Sequence, residues 1–269
     1  MAPFPSPASK RNDNTYQSKS STRPELSAKG KSVERASRIT LLGRRKQPLF
    51  DTKPLEHKFA GVEVFAASAD VMKKSKVDEA FAKFVGDGKI DVLVSNMVMI
   101  GPQDPVEYVD ADKFVEATQQ NLRGSLLVVQ AFLRYAATDA AAIDINSIAK
   151  LEIFRLCDSV AFANPELLVF HVQLGVVDTN MNKEASDIAA LGFSDDVSLL
   201  ADFNVWLASP EARFLKGKHL WTNWDVDELQ AEAKGSEAST YLSIKLVGWP
   251  FQPENGTWKL EPLSTSGDA

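Results

Sequence analysis

The feature that most constrains the fold of this chain is a regular alternation of short apolar runs with longer amphipathic segments. The predicted strands span residues 38–43, 62–68, 90–96, 141–147, 167–173 and 219–226. The predicted helices span residues 75–86, 110–137, 148–163 and 197–209. Such an alternation is typical of βαβ units, whose strands form a parallel sheet covered by helices on both faces. We therefore predict a single α/β domain with a doubly wound parallel sheet.

The two ends of the chain differ in composition from this central part. Residues 1–30 are rich in Pro, Ser, Lys and Asn and predict a flexible leader, and residues 250–269 predict a flexible tail. Residues 31–249 then form the domain. Residues 1–46 carry a net charge of +8, whereas the whole chain carries −6, so the remainder is strongly acidic. Because such a body repels phosphate backbones, we expect no nucleic-acid partner.

Several classes of protein are disfavoured by what the sequence lacks. No apolar run approaches the roughly 20 residues of a membrane helix, and the N-terminus has no apolar core of a secretory signal. The lone cysteine, Cys157, fits a reducing compartment, so we expect a cytoplasmic protein without a membrane partner. Cys157 and His171 are interpreted as core residues, and Trp206 as core or subunit-interface packing. Three scattered histidines form no metal-ligand cluster.

Polar residues follow the first three predicted strands, at the sheet edge where ligands of parallel α/β proteins bind. Arg44, after Gly43, is suited to the 2′-phosphate of NADP or is a solvated turn residue. Asp70 can accept the adenine amino group or cap the following helix. Asn96, after Ser95, lets a cofactor approach the backbone or is a turn asparagine.

Three further features lie later in the chain. Asn121 and Gly124 interrupt a helix that is otherwise apolar on one face, which requires a kink, a bound water or a ligand. Lys150 opens a helix, where a cation is electrostatically unfavourable. Residues 175–179 follow a buried strand and form either a loop that meets a flat ligand or a plain turn.

In this order and at this spacing, these residues resemble the motifs of the short-chain dehydrogenase/reductase family. The pattern is most similar to that of fungal members, including those of secondary metabolism. The resemblance covers about residues 24–235. It implies a Rossmann-type sheet, NAD(P)-dependent oxidation or reduction of a small-molecule alcohol or carbonyl, and an assembly compatible with a homo-oligomer.

The resemblance also assigns residues to the cofactor. It implies that Arg44 meets the 2′-phosphate, which favours NADP over NAD. It implies that Asp70 contacts adenine and that Asn96 lies near the adenine-side ribose. It implies that Val177 and Thr179 hold the nicotinamide carboxamide.

Four residues take catalytic or neighbouring roles by the same resemblance. Asn121 holds a water of the proton relay, with Arg123 near the cofactor side of that helix. Lys150 hydrogen-bonds the nicotinamide ribose and lowers the pKa of a catalytic tyrosine. Ser147 corresponds either to the serine that orients the substrate or to the residue that follows the tyrosine.

Two pieces of the family pattern are missing from this sequence. Residues 28–33 resemble the first strand of the family, and Ile39 already lies in the second strand. The loop Thr-Gly-x-x-x-Gly-x-Gly and the helix that follows it do not occur between them. Glycines in that loop let the backbone approach a pyrophosphate. The first strand is central in this fold, so its loss predicts unpaired neighbours inside the sheet. We therefore expect the first βα unit to be largely missing and cofactor binding to be weakened or lost.

The second missing piece is the tyrosine of Tyr-x-x-x-Lys, because Asn146 stands four residues before Lys150. An amide cannot exchange the proton that the phenol exchanges with the substrate oxygen. We therefore expect weak or absent catalysis. The alternatives are a non-catalytic scaffold or binding protein with this fold, or the product of a mis-spliced or decaying gene. A transcript that encodes Tyr-x-x-x-Lys would contradict the decay hypothesis.

Overall fold

The structure is a computed structural model in which parallel strands alternate with helices. It describes residues 12–20, 37–51, 62–102, 104, 107–146, 151–179, 183, 194–237, 239, 241–244, 252–254 and 257–259. Its strands are β1 (Arg38–Gly43), β2 (Glu63–Ser68), β3 (Ile90–Ser95), β4 (Ala136–Asn146), β5 (Leu168–Gln173), β6 (His219–Trp221), β7 (Gln252–Glu254) and β8 (Thr257–Lys259). Its α-helices are α1 (Lys46–Phe50), α2 (Lys74–Val85), α3 (Ala111–Tyr135), α4 (Leu151–Ala163), α5 (Val197–Leu207), α6 (Val226–Ala231) and α7 (Ala233–Glu237), and a 3₁₀ helix spans Pro210–Leu215.

The parallel strands are divided into two sheets. β1 pairs with β2, and the second sheet has the order β3-β4-β5-β6 with every pair parallel. In the described part of the chain, no hydrogen-bonded strand joins the two sheets. Residues 28–33, which the sequence assigns to a first strand, lie outside the described residues, so the loss of the first βα unit stays a prediction. The α/β class and the Rossmann-type architecture are confirmed.

Two hydrophobic clusters cover the two faces of the four-stranded sheet. One contains Phe170 and Val172 of β5 with Phe203 and Trp206 of α5. The other contains residues of α2, α3 and α4, with Val169 contributed by the opposite face of β5. Because successive strand residues point to opposite faces, a strand covered on both sides reads as an unbroken apolar run. The interpretation of Cys157, His171 and Trp206 as buried residues is confirmed.

Several element boundaries differ from the sequence prediction. β4 begins at Ala136, directly after α3, because Ala136 pairs with Ile90 before the register shifts. β6 ends at Trp221 rather than at residue 226, since the Asp225 carboxylate accepts hydrogen bonds from the N–H groups of Asp227 and Glu228 and starts α6. The short helices α1, α6 and α7 were not predicted, because a helix of five or six residues shows little periodicity.

The ends of the chain are partly packed. Residues 12–20, here termed the N-terminal strap, lie against the body, and Lys19 in this strap has no exposed surface. This differs from the flexible leader expected there, because the strap gains contacts that its composition does not reveal. Within the expected tail, β7 and β8 form an antiparallel hairpin. The boundaries of the predicted domain stay a prediction. None of the helices in the described ranges has the length and apolar character needed to cross a membrane.

Candidate active site

The carboxyl ends of the parallel strands form the edge that carries most of the predicted site. Gly43 of β1 pairs with Ser68 of β2, so the segments that follow these strands leave the sheet side by side. A Cβ built on Gly124 of α3 would lie 2.6 Å from Met97 Cε and 3.2 Å from Val71 Cγ2. Val71 follows β2 and Met97 follows β3. The carboxyl ends of the two sheets therefore meet against the same turn of α3.

Arg44 and Asp70 lie at this edge on neighbouring strands. The Arg44 side chain is exposed, and the backbone carbonyl of Arg44 accepts a hydrogen bond from Ser68 Oγ at 3.3 Å. Asp70 Oδ1 accepts from the Met72 N–H at 3.0 Å, so Asp70 forms a local turn before α2. The residue at the N-cap of α2 is Lys73, which corrects the alternative that Asp70 caps this helix. Asn96, directly after β3, is exposed.

The Asn121 amide holds the segment that follows β3. Its Oδ1 accepts from the Met99 N–H at 2.7 Å, and its Nδ2 donates to the Met99 carbonyl at 2.9 Å. This pairing explains a polar residue in α3, and it leaves one lone pair and one N–H of the amide for a further partner. The water-binding role of Asn121 stays a prediction. Arg123, two residues further along α3, is exposed.

Gly124 is explained by packing. A methyl group at this position would lie 2.6 Å from Met97 Cε, which is closer than side-chain carbons approach. The helix continues without interruption from Ala111 to Tyr135. The expected kink is therefore absent, and the contact with Met97 gives one reason for a glycine here, whereas a bound water or ligand at this position stays a prediction.

Several hydrogen bonds hold the segment that follows β5, here termed the β5 loop (residues 174–177). Gly175 has a φ of +78°, and the Asp195 carboxylate occupies the space where its Cβ would lie. Asp195 Oδ2 accepts from the Val176 N–H at 2.7 Å, and the Asp195 N–H donates to the Val176 carbonyl at 2.6 Å. Thr222 Oγ1 donates to the Leu174 carbonyl at 3.0 Å. The loop is thus held in one conformation from two sides.

An open pocket of about 460 Å³ lies beside this loop. It is lined by residues of the N-terminal strap, of the β5 loop and its continuation, and of the start of α5: Asp13, Asn14, Val177, Asp178, Ser194, Asp195, Asp196 and Val197. The lining is acidic. Hydrogen bonding to Ser198 lowers the pKa of Asp196, so this carboxylate stays ionised at neutral pH. The pocket therefore favours a neutral or cationic ligand over an anionic one.

The comparisons with known proteins agree with this architecture. A model of the family described as enoyl-(acyl carrier protein) reductase matches residues 38–165. The chain is 29% identical over 232 residues to the short chain dehydrogenase/reductase AacuD of Aspergillus aculeatus, which covers 78% of this chain and 80% of that protein. The chain is thus similar to members of the short-chain dehydrogenase/reductase family.

Solved structures of this family share the fold. A short-chain dehydrogenase/reductase from Serratia marcescens superposes with a TM-score of 0.59 at 21% identity, over 71% of this chain and 92% of that one. A gluconate 5-dehydrogenase from Burkholderia cenocepacia, in complex with NADP and tartrate, gives a TM-score of 0.59 at 22% identity, over 68% of this chain and 82% of that one. At this level of identity, the likeness establishes the fold alone.

The catalytic segment of the short-chain dehydrogenase/reductase pattern is described only at its start. Asn146, which the resemblance aligns with the family's tyrosine, ends β4 opposite Gln173 of β5. Ser147 and Lys150 lie outside the described residues, and their roles stay predictions. Thr179 is exposed, and its carbonyl accepts from the Lys183 N–H at 3.1 Å.

The sequence alone did not predict the residues that support the β5 loop. Asp195 and Asn223 lie 19 and 47 residues after Val176, and no motif marks either one. The only local signal was the pair Asp195-Asp196 before α5, which is typical of a helix N-terminus. Asp196 does cap α5 by accepting from the Ser198 N–H, whereas Asp195 turns toward the loop.

Proposed function

We propose that this chain binds NADP(H) along the carboxyl ends of its parallel strands and derives from oxidoreductases that act on a small-molecule alcohol or carbonyl. The observation that carries the proposal is the position of two predicted cofactor residues at this edge. Arg44 follows β1, and Val177 follows β5 and lines an open pocket. The carboxyl ends of the two sheets are brought together by Val71 and Met97 against Gly124. Ligands of parallel α/β sheets bind at such an edge.

The described residues fit the two ends of this dinucleotide. The Arg44 guanidinium is exposed and makes neither a hydrogen bond nor an ion pair with any residue of the described ranges. A planar cation of this kind binds a phosphate in bidentate fashion, which supports NADP rather than NAD. At the other end, the β5 loop has a fixed conformation beside a pocket large enough for a flat ring.

We propose further that a protein with this sequence reduces or oxidises its substrate slowly or not at all. NADPH, when bound, supplies a hydride to a carbonyl carbon. The chain must then deliver a proton to the carbonyl oxygen, and the Asn146 amide is neither an acid nor a base at neutral pH. Lys150 and Ser147 can bind and orient hydroxyl groups, but the phenol that they would support is absent. General acid catalysis of this kind contributes roughly 10²–10⁴-fold to a rate.

The experiment is a thermal unfolding series with NADPH and with NADH. Saturation at about 100 times Kd adds roughly 2.7 kcal/mol of stability. For a protein of this size, that is an increase in Tm of roughly 5–10 °C. We expect NADPH to raise Tm more than NADH does. The substitution Arg44→Ala should remove the difference, because an interaction between a charged donor and a phosphate contributes about 1.5–3 kcal/mol.

Arg45→Ala is the matched control, since Arg45 is also exposed but lies at the N-cap of α1, where its side chain makes no capping hydrogen bond. Oxidation of NADPH with neutral ketones should stay near the background rate even where Tm rises. No change in Tm at millimolar cofactor would contradict the proposal and would favour the non-catalytic scaffold instead.

A further inference from the structure

Hydrogen bonds at its start and in its middle build the N-terminal strap into the carboxyl-end edge. At its start, the Asn12 N–H donates to the Asn223 carbonyl at 2.8 Å, and the Asp196 N–H donates to the Asp13 carbonyl at 2.8 Å. In its middle, Tyr16 Oη accepts from the Val226 N–H at 2.6 Å. The strap therefore joins the turn after β6 to the start of α5.

A buried lysine anchors the strap. Lys19 Nζ donates to the Thr222 carbonyl at 2.6 Å and lies 4.6 Å from the centre of the Phe203 ring. Beside it, Thr15 Oγ1 donates to the carboxylate of Asp202. A buried ammonium without such partners would cost several kcal/mol. These contacts identify the strap as a specifically packed segment, because loosely attached leaders keep their lysines in water.

A continuous chain of hydrogen bonds connects the strap to the β5 loop. Asn223 Nδ2 donates both to the Asn12 carbonyl at 2.8 Å and to Asp195 Oδ1 at 2.7 Å. The other oxygen of Asp195, Oδ2, accepts from the Val176 N–H at 2.7 Å. Gly175 has no Cβ, so the carboxylate can approach the loop this closely. The position of Asn12 is thereby coupled to that of Val176 through two side chains.

The strap also forms part of the pocket wall. Asp13 and Asn14 line the same pocket as Val177, and Ser198 Oγ lies 3.3 Å from Asn14 Oδ1. A ligand beside Val177 would therefore meet strap residues on one side of the pocket. This places the strap next to the predicted nicotinamide end of the cofactor.

We propose that the N-terminal strap is a positioning element of the cofactor site, which acts on the β5 loop through Asn223 and Asp195. The inference rests on the proposed function, because it assigns the β5 loop to the nicotinamide end of NADP(H). Asn223 and Asp195 are positioning residues, since they hold the backbone beside Val177 and contact no reacting atom. Removal of the connection leaves the loop free to sample conformations that do not fit the ligand, and this weakens binding.

The test replaces Asn223 by Asp, which has nearly the same shape but cannot donate. Asn223→Asp loses two hydrogen bonds and places a carboxylate against Asp195, so we expect the Kd for NADPH to rise at least tenfold, measured by NADPH fluorescence titration. Asp195→Asn should weaken binding similarly, because two amide N–H₂ groups would face each other. In the double variant, Asn at 195 can donate to Asp at 223 and still accept from the Val176 N–H. Because Asp at 223 still cannot donate to the Asn12 carbonyl, we expect this double variant to recover only the part of the affinity that the contact between positions 195 and 223 contributes.

Asn164→Asp is the control. The Asn164 amide donates to the Val160 carbonyl at 2.9 Å, before the start of β5 and thus at the opposite edge of the sheet. The Kd of this variant for NADPH should stay within about twofold of the Kd of the original protein. Amide hydrogen exchange provides a second measurement that needs no cofactor. Exchange at Val176 and within the N-terminal strap should accelerate together in Asn223→Asp, and also in Tyr16→Phe, which removes the hydrogen bond between the middle of the strap and the Val226 N–H.

The outcomes separate the inference from the proposed function. If the original protein binds NADPH but Asn223→Asp binds it equally well, the positioning role is overturned. If a variant accelerates amide exchange in the strap but leaves exchange at Val176 unchanged, the inferred coupling between the strap and the β5 loop is overturned. If the original protein binds no NADPH, the proposed function fails and the ligand role of the strap fails with it. The exchange data then decide on their own whether strap and loop move together.

Discussion

At the scale of single residues, the site depends on glycines that make room for a neighbouring side chain. Gly124 leaves space for Met97, and Gly175 leaves space for the Asp195 carboxylate. The two positions differ in their backbone, because only Gly175 has a positive φ, which L side chains adopt at a cost of about 1–3 kcal/mol. Gly175 is therefore required for two independent reasons, one conformational and one steric.

We expect Gly175→Ala to destabilise the protein more than a conformational penalty alone would. Gly217 is the matched control, with a φ of +74° and open space where its Cβ would lie. Gly217→Ala should lower the free energy of unfolding by about 1 kcal/mol. Gly175→Ala should lower the free energy of unfolding by a further 1–3 kcal/mol or so, because Asp195 must move and the half-buried Val176 N–H loses its acceptor. Urea denaturation measures both, and equal losses would contradict the steric role of Asp195.

At the scale of elements, the N-terminal strap behaves as part of the fold. The pKa values of its buried lysine and of its half-buried tyrosine are both shifted toward the neutral form. Burial lowers the pKa of the Lys19 ammonium from its usual 10.5 to about 7, against the opposing effect of Asp202 and other carboxylates. Burial also raises the pKa of the Tyr16 phenol well above its usual value. The free energy of docking the strap therefore depends on pH on the alkaline side of neutrality.

The pH dependence from Lys19 has a defined sign and window. Between pH 7 and about 10 the unfolded chain keeps the Lys19 proton and the folded chain has lost it, so the free energy of unfolding rises with pH. This contribution is complete above pH 10.5 and is lost as the pH falls to 7. Lys19→Met has no proton to lose. The stability of the original protein relative to Lys19→Met should therefore increase, by on the order of a few kcal/mol, between pH 7 and 9.5.

Urea denaturation at four pH values across this window measures the difference. The window avoids other shifted groups, because Tyr16 contributes only above about pH 10, and burial lowers the pKa of His219 below 6.5. Lys89→Met is the control, since Lys89 is exposed. If the free energy of unfolding changes with pH in the same way in Lys19→Met and in the original protein, the lysine is charged throughout this pH window and the prediction is wrong.

At the scale of the whole molecule, the division of the parallel strands into two sheets sets the distribution of stability. No residue of β1 is buried, whereas five of the six residues of β5 are. β1 and β2 form a two-stranded sheet, which is marginal without the packing that helices provide. The Arg38 guanidinium reaches the Val85 carbonyl at 3.3 Å and lies 5.1 Å from the centre of the Phe84 ring, so α2 provides one point of attachment for this sheet.

We expect the two-stranded sheet to open before the rest of the molecule. Its backbone amides should exchange through a local opening at lower free energy than those of β4 and β5, because it buries less apolar surface. Native-state hydrogen exchange in increasing urea separates local from global opening. Equal exchange free energies in β1, β2, β4 and β5 would mean that the two sheets unfold as one unit. Binding of NADPH should raise the opening free energy of β1, since Arg44 follows this strand.

Much of the fold could be predicted from local patterns. The runs at 38–43 and 90–96 are strands within one residue of the prediction, and the segment at 110–137 is a helix from Ala111 to Tyr135. Burial on one or both faces imposes a period on the sequence, so such elements can be recognised without a partner. β6 could not be delimited in this way, because the apolar residues after Trp221 belong to a turn and to α6.

The sequence by itself determined the fold class, the family pattern and the strand-end positions of Arg44, Asp70 and Val177. It also determined that Asn146 stands four residues before Lys150. These properties depend on residue type and spacing along the chain, which the sequence states directly.

Only the tertiary structure decided that residues 12–20 belong to the body and that Asn223 and Asp195 join them to the β5 loop. Asn12 and Asn223 are 211 positions apart, and their hydrogen bonds exist only after the sheet and α5 have packed. A polar side chain looks the same in a sequence whether it faces water or a buried carbonyl. Its partner depends on the packed arrangement of distant elements, which no local pattern records.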